Sequence, residues 1–244
     1  MLQIAVINES TVIGDADVAA MLPAFDKQWN GDLAPIWGLE AAAFTFLPKG
    51  TTPDAGTWWV VFLDDSDQAN ALAYHDLTNV GLPISKVFVK TIQADNASVS
   101  VGATHEICEM AVDPWLNGAY QDPQGVFWAA EICDPVEDDQ YAYSIDGILV
   151  TDFVTPAWFA HLNAQGNIDF KGYSHFAFEV LSGGYAQKFD PQQGWVQVTG
   201  SKALESRRAR APHGSRRERR ARKWHPSAAA QLQCSFVRPQ REPR

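Results

Sequence analysis

The chain has 244 residues, of which 46% are hydrophobic, including 9 Trp and 13 Phe; this is enough apolar material for a packed core in one large domain or two small ones. Charge divides it sharply: residues 1–200 carry six Lys, no Arg and 26 acids, whereas residues 201–244 carry 13 basic residues against three Glu. So acidic a body repels nucleic acid and anionic membrane surfaces, and no apolar run reaches the 18 residues that a membrane-spanning helix needs.

The first ten residues, MLQIAVINES, lack the basic start and the apolar length of a signal peptide. Gln3–Asn8 alternates and reads as a buried strand. This start points to a cytoplasmic or virion-associated protein. Asp15 or Asp17 can cap a helix running to about Trp29, with Pro23 inside it and expected to kink it. Ala42–Leu47 is a second strand. The Pro-, Gly- and Thr-rich stretch from Lys49 to Gly56 is a turn. Trp58–Leu63 (WWVVFL) is apolar on both faces and is expected to be a central strand, ended by Asp64-Asp65-Ser66-Asp67. Val87–Lys90 reads as a further short strand.

A helix is expected from about Asp95 to Val112, capped by Asp95 or Asn96 and stopped by Pro114. Beyond Trp115 the chain is rich in turns and aromatics, with short strands expected at Ile148–Val154, Ala177–Leu181 and Trp195–Val198. The order points to an α+β fold: a small mixed sheet, one functional helix and an irregular, aromatic-rich C-terminal half. Residues 1–200 form the expected globular domain. Residues 201–244 are low-complexity and basic, and are expected to be disordered. They read either as an arm for nucleic acid or acidic surfaces, or as a non-native extension.

The chemistry concentrates in His105-Glu106-Ile107-Cys108-Glu109. On a helix, positions i and i+4 lie one turn apart on one face, so His105 and Glu109 can bind one metal ion. Glu106, beside the first ligand, can take a proton from a water held by that ion, which is the logic of the His-Glu-x-x-His helix. A catalytic zinc site uses three protein ligands. Glu131, in Ala130-Glu131-Ile132-Cys133-Asp134, is the expected third, with Asp134 as its alternative or as a partner that orients His105.

The span from about 95 to 140 resembles the gluzincin branch of the zincin metallopeptidases, in which a downstream Glu supplies the third ligand. The phrase Thr104-His105-Glu106…Glu109…Asp113-Pro114, followed by Glu131-x-x-Asp134, is similar to predicted proteases and exordium-like proteins. Residues 1–200 as a whole resemble a group of bacterial and phage proteins. The resemblance implies a zincin-like fold, a metal-dependent hydrolase acting on a peptide or protein substrate, and Zn²⁺ as cofactor. This chain departs from the family pattern by carrying Glu109 where a second His would stand. One His and two carboxylates offset the charge of Zn²⁺ and suit Mn²⁺, Fe²⁺ or Ca²⁺ as alternatives. A non-catalytic binding or virion-structural protein that keeps the scaffold is the alternative reading.

Other candidates are His75, Tyr141 and Tyr143. Each is a possible donor to an oxyanion or a substrate contact, and a structural, packing role is the favoured reading of each. Cys108 and Cys133 are read as small buried hydrophobes, with metal ligation or a disulfide as the other options. Glu137-Asp138-Asp139 with Asp146-Gly147 is a solvated acidic loop or a Ca²⁺ site.

Overall fold

The computed structural model describes residues 1–68, 71–159 and 166–200; the basic segment 201–244 lies outside the described residues. Leu2–Asn8 (β1), Ala42–Leu47 (β2), Trp58–Leu63 (β3), Ala73–Leu77 (β4) and Pro83–Phe88 (β5) form one sheet of order β2-β1-β3-β5-β4. Trp58–Leu63 stands at its middle, as its two-sided apolar pattern requires. The first four strands in that order run parallel, and β4 returns antiparallel along β5 to close the edge. Strand alternation sends Ile4, Val6, Val60, Phe62 and Val87 into the main core, and Ala5, Ile7, Val61 and Ile84 to the opposite face.

Helix α1 (Asp15–Lys27) runs through Pro23 and passes into a π-helical segment, Gln28–Leu33, followed by the short α2 (Ala34–Trp37). Its Val18 and Phe25 pack into the main core. Each such fully buried side chain contributes roughly 1.5–3 kcal/mol.

The helix expected from Asp95 begins later, at Val99 (α4, Val99–Val112), and a separate short helix, α3 (Val89–Ala94), precedes it. Asn96 adopts φ 55° and breaks them apart, a left-handed conformation that Asn tolerates better than most residues. The N-cap position of α4 is therefore Ser98, not Asp95 or Asn96, and the Ser98 N–H donates to Asp139 Oδ2 at 2.7 Å. At the other end α4 stops before Pro114, as expected. All of α4 is buried except Val99, Gly102 and Val112. A helix covered on nearly every side places its polar residues inside the protein rather than in water.

The C-terminal half adds a four-stranded sheet of order β11-β10-β7-β6, built from Ala119–Gln121 (β6), Phe127–Ala129 (β7), Tyr185–Asp190 (β10) and Gly194–Thr199 (β11). A hairpin pairs Tyr143–Ile145 (β8) with Ile148–Val150 (β9), turning through Asp146 and Gly147, both at positive φ. Three strand expectations are corrected here. Val87–Lys90 is split, because β5 ends at Phe88 and α3 begins at Val89. The strand from Ile148 ends at Val150, since the Thr151 N–H donates to Thr104 Oγ1 at 2.9 Å and leaves the ladder. Ala177–Leu181 is irregular, with Phe178 at φ 61°. The fold is mixed α+β, with several sheets and few helices.

Candidate metal centre

Helix periodicity places His105, Glu106 and Glu109 on the buried body of α4. His105 Nε2 lies 3.3 Å from Glu109 Oε1 and 3.2 Å from Asp134 Oδ1. Tetrahedral ligands at about 2.0–2.2 Å from an ion stand about 3.3–3.6 Å from one another, close to the separation of His105 from each carboxylate, and the three donor atoms lie within 4.8 Å of one another. Asp134 opens a short 3-10 turn, Asp134–Val136, that follows β7. Its neighbour Cys133 donates its N–H to Glu109 Oε1 at 3.3 Å, and the Ile132 carbonyl accepts from Val154 N–H at 2.8 Å. These bonds set the segment 131–134 against α4.

The third partner of His105 and Glu109 is thus Asp134, the alternative to Glu131. Glu131 comes to the centre from another side. Its Oε2 is 3.9 Å from Nε2 of His75, and its carboxyl hydrogen-bonds with that of Glu109. The physical reason is spacing. Residues 131 and 134 sit in a non-helical segment whose carboxylates diverge, one toward β4 and one toward the first turn of the motif.

His75 enters from the sheet edge. The β4–β5 register sets it opposite Ser85, on the face toward α4, and the Ser85 hydroxyl donates to the Glu106 carbonyl at 3.3 Å. His75 Nδ1 is 3.2 Å from Glu106 Oε2 and 3.8 Å from Glu109 Oε2. Asp113, at the C-terminal end of α4, accepts from the N–H groups of Asn117 and Gly118 at 2.8 and 2.7 Å. It offers an oxygen to a group with His75 and Glu131. Gly118 fits closely there, since a β-carbon would stand 3.0 Å from both Asp113 Oδ1 and Ala130 Cβ.

Every member of this cluster is buried, from His75, Glu109 and Asp134 at 0% to His105 at 6%. Removing a carboxylate from water costs several kcal/mol unless its charge is met. No lysine among the described residues meets it. Lys27 pairs with Asp146, Lys49 with Glu9, Lys86 with Asp67, and Lys90 with Asp64 and Asp65. Lys171 lies over the ring of Tyr143 and Lys188 over that of Trp128. Burial first, and then the neighbouring carboxylates, push Glu109 and Asp134 well above the usual carboxylate range. Protons or a cation must therefore take up the charge. The donor set, imidazole and carboxylate, is one that Zn²⁺ and harder divalent ions accept.

Tyr185, at the start of β10, was not evident from the sequence. Burial, followed by Asp134, pushes its phenol well above its usual value, and its hydroxyl donates to the Asp134 carboxyl. Asp113 was noted only as part of the helix stop. Tyr141 and Tyr143 have other partners. Tyr141 donates to the Ser182 carbonyl at 3.2 Å. Tyr143 donates to Asp32 Oδ2 at 2.7 Å and accepts from Gln28 Nε2 at 3.2 Å. Both hydroxyls are thus directed to partners outside the cluster, because the segment carrying Tyr143 packs on the π-helical turn after α1. Cys108 and Cys133 are buried free thiols. The acidic loop is engaged locally: Asp138 accepts from Gln140 N–H, Asp139 from Ser98 N–H, and Asp146 pairs with Lys27.

No helix of the described residues is long and apolar enough to cross a membrane. Comparison of the chain with protein-family models, with curated proteins and with solved structures gave no match.

Proposed function

We propose that this chain is a metal-dependent hydrolase of zincin-like architecture that cleaves peptide bonds. The observation that carries the reading is the buried convergence of His105, Glu109 and Asp134, donor atoms 3.2–3.3 Å from the shared imidazole nitrogen, in a cluster that no lysine among the described residues neutralises. These three residues would hold the ion, with Glu131 adjoining through Glu109. A bound Zn²⁺ or Mn²⁺ supplies Lewis acidity, lowering the pKa of water and polarising a carbonyl. Glu106 is the proton acceptor. It stands beside His105 on α4, and its Oε2 is held by His75, so the carboxylate is oriented before substrate arrives. Two anionic donors and one neutral one weaken the Lewis acidity of zinc relative to a two-histidine site, and favour the harder ions Mn²⁺, Fe²⁺ and Ca²⁺ as alternatives.

The burial of the cluster supports a second reading, a non-catalytic binding or virion-structural protein that retains the scaffold. Glu106 is 1% exposed, and a peptide must reach it. The test is to equilibrate the purified full chain with Zn²⁺ and then Mn²⁺, measure metal retained after gel filtration, and assay cleavage of casein. Retained metal with cleavage is the expected result. Protein that emerges metal-free from both ions would sink the metal centre. Retained metal without cleavage would favour the scaffold reading.

A further inference from the structure

We propose a second divalent-cation position beside the first, held by His75 Nε2, Glu131 and Asp113, so that the centre is binuclear. The proposal rests on the reading that His105, Glu109 and Asp134 hold a metal, and extends it to donors that the motif helix does not itself explain.

The orientation of the His75 ring is the first argument. Its Nδ1 edge is turned to α4, 3.2 Å from Glu106 Oε2 and 3.8 Å from Glu109 Oε2. The Nε2 edge is turned to Glu131 Oε2, 3.9 Å away. Two metal–ligand bonds of about 2.1 Å span that separation. Carboxylate–histidine–metal is a recurrent arrangement, in which the carboxylate fixes the ring and raises the basicity of the ligating nitrogen.

The second argument is the donor set. His75, Asp113 and Glu131 each offer a ligand atom, all within 4.8 Å of one another and all buried. A six-coordinate ion with bonds of about 2.1 Å sets adjacent donors about 3.0 Å apart and opposite donors about 4.2 Å apart. The His75–Glu131 separation of 3.9 Å falls within that range. The three come from separate elements: the edge strand β4, the end of α4 and the segment after β7. Asp113 is additionally fixed by the two backbone N–H groups of Asn117 and Gly118.

The third argument is continuity. Glu109 contributes Oε1 toward His105 and Oε2 toward His75, and its carboxyl hydrogen-bonds with that of Glu131. Glu109 thus joins the first position to Glu131 of the second, which sets the two side by side as in two-metal hydrolases.

The probe is Mn²⁺ alone, on the full chain. It favours carboxylate oxygen over the thiol and imidazoles of residues 201–244. Equilibrium dialysis should give two bound equivalents for wild type, with an exchange-broadened electron paramagnetic resonance signal. His75→Ala should give one equivalent and a resolved six-line signal. If circular dichroism shows that His75→Ala does not fold, Glu131→Gln carries the test. It keeps size and removes one anionic donor, and should also fall from two equivalents to one. One equivalent in wild type, unchanged in the variant that folds, overturns the second position and leaves the first standing. Two equivalents in both wild type and Glu131→Gln also overturn it. No bound Mn²⁺ in any protein overturns both positions.

Discussion

His75 and Glu106 meet across 3.2 Å, Nδ1 to Oε2, and that contact joins the antiparallel edge strand β4 to the buried helix α4. The orientation of the proposed proton acceptor is thereby determined from outside its own helix. Ser85 reinforces the junction through the Glu106 carbonyl.

Glu106→Gln keeps the shape of the side chain and an oxygen that can accept from His75, but it cannot take up a proton. Casein cleavage should fall on the order of 10²–10⁴-fold. Bound metal and circular dichroism should match wild type. Undiminished cleavage by the variant would refute the assigned role.

Metal should stabilise the fold, because the donors are assembled only in the folded chain. At a free ion concentration about 100 times Kd the gain is about 2.7 kcal/mol. For a body of this size that raises Tm by roughly 5–11 °C, and a chelator should reverse it. His105→Ala removes a donor of the first position and should shrink the shift. A shift of equal size in wild type and His105→Ala would show that the ion binds elsewhere.

Asp152 and Asp169 form a buried carboxyl pair outside the proposed metal centre, and the pair gives a pH prediction. Burial first, and then the hydrogen bond and charge of Asp169, push Asp152 from 3.8 up to about 9. The folded chain therefore holds this proton more tightly than the unfolded chain. The associated stability is fully present below about pH 4 and is lost as pH rises toward about 9. Asp152→Asn imitates the protonated acid. Its Oδ1 can still accept from the N–H groups of Phe153 and Lys171, and its amide can donate to Asp169. The difference in unfolding free energy between variant and wild type should grow from pH 5 to pH 9, reaching about 1–3 kcal/mol in the variant's favour. Parallel urea curves across that range would disprove the shared proton.

Gly184 packs directly on the turn that carries Asp134. A β-carbon there would stand 2.5 Å from the Pro135 carbonyl oxygen and 2.7 Å from that of Asp134. Both are backbone atoms and cannot rotate aside. Gly184→Ala should cost about 1–3 kcal/mol and, by displacing Asp134, weaken metal affinity about 10–100-fold. Gly31→Ala, where a β-carbon meets nothing within 4 Å, is the matched control. Equal metal affinity in the two variants would argue against Asp134 as a ligand.

What the sequence determined by itself is what local periodicity encodes. The i, i+4 spacing of His105 and Glu109 sets them on one helix, Pro114 ends that helix, and the apolar run Trp58–Leu63 marks the central strand. The two boundary errors around α4 have local causes of small free energy, since one left-handed Asn96 separates α3 from α4. The edge strand Ala73–Leu77 was illegible because its Tyr-His-Asp centre has no strand-like composition. It is a strand only because β5 pairs with it. Which carboxylate faces His105 was likewise undecidable from spacing. Glu131 and Asp134 lie in an irregular segment whose direction is fixed by the Ile132–Val154 hydrogen bond and the close approach of Gly184. His75, Asp113 and Tyr185 reach the same cluster from distant stretches of chain, and only tertiary packing brings them together. Side-chain position on a helix is a property of neighbouring residues, whereas a buried cluster of ionisable groups is a property of the whole core, whose desolvation makes their mutual placement matter.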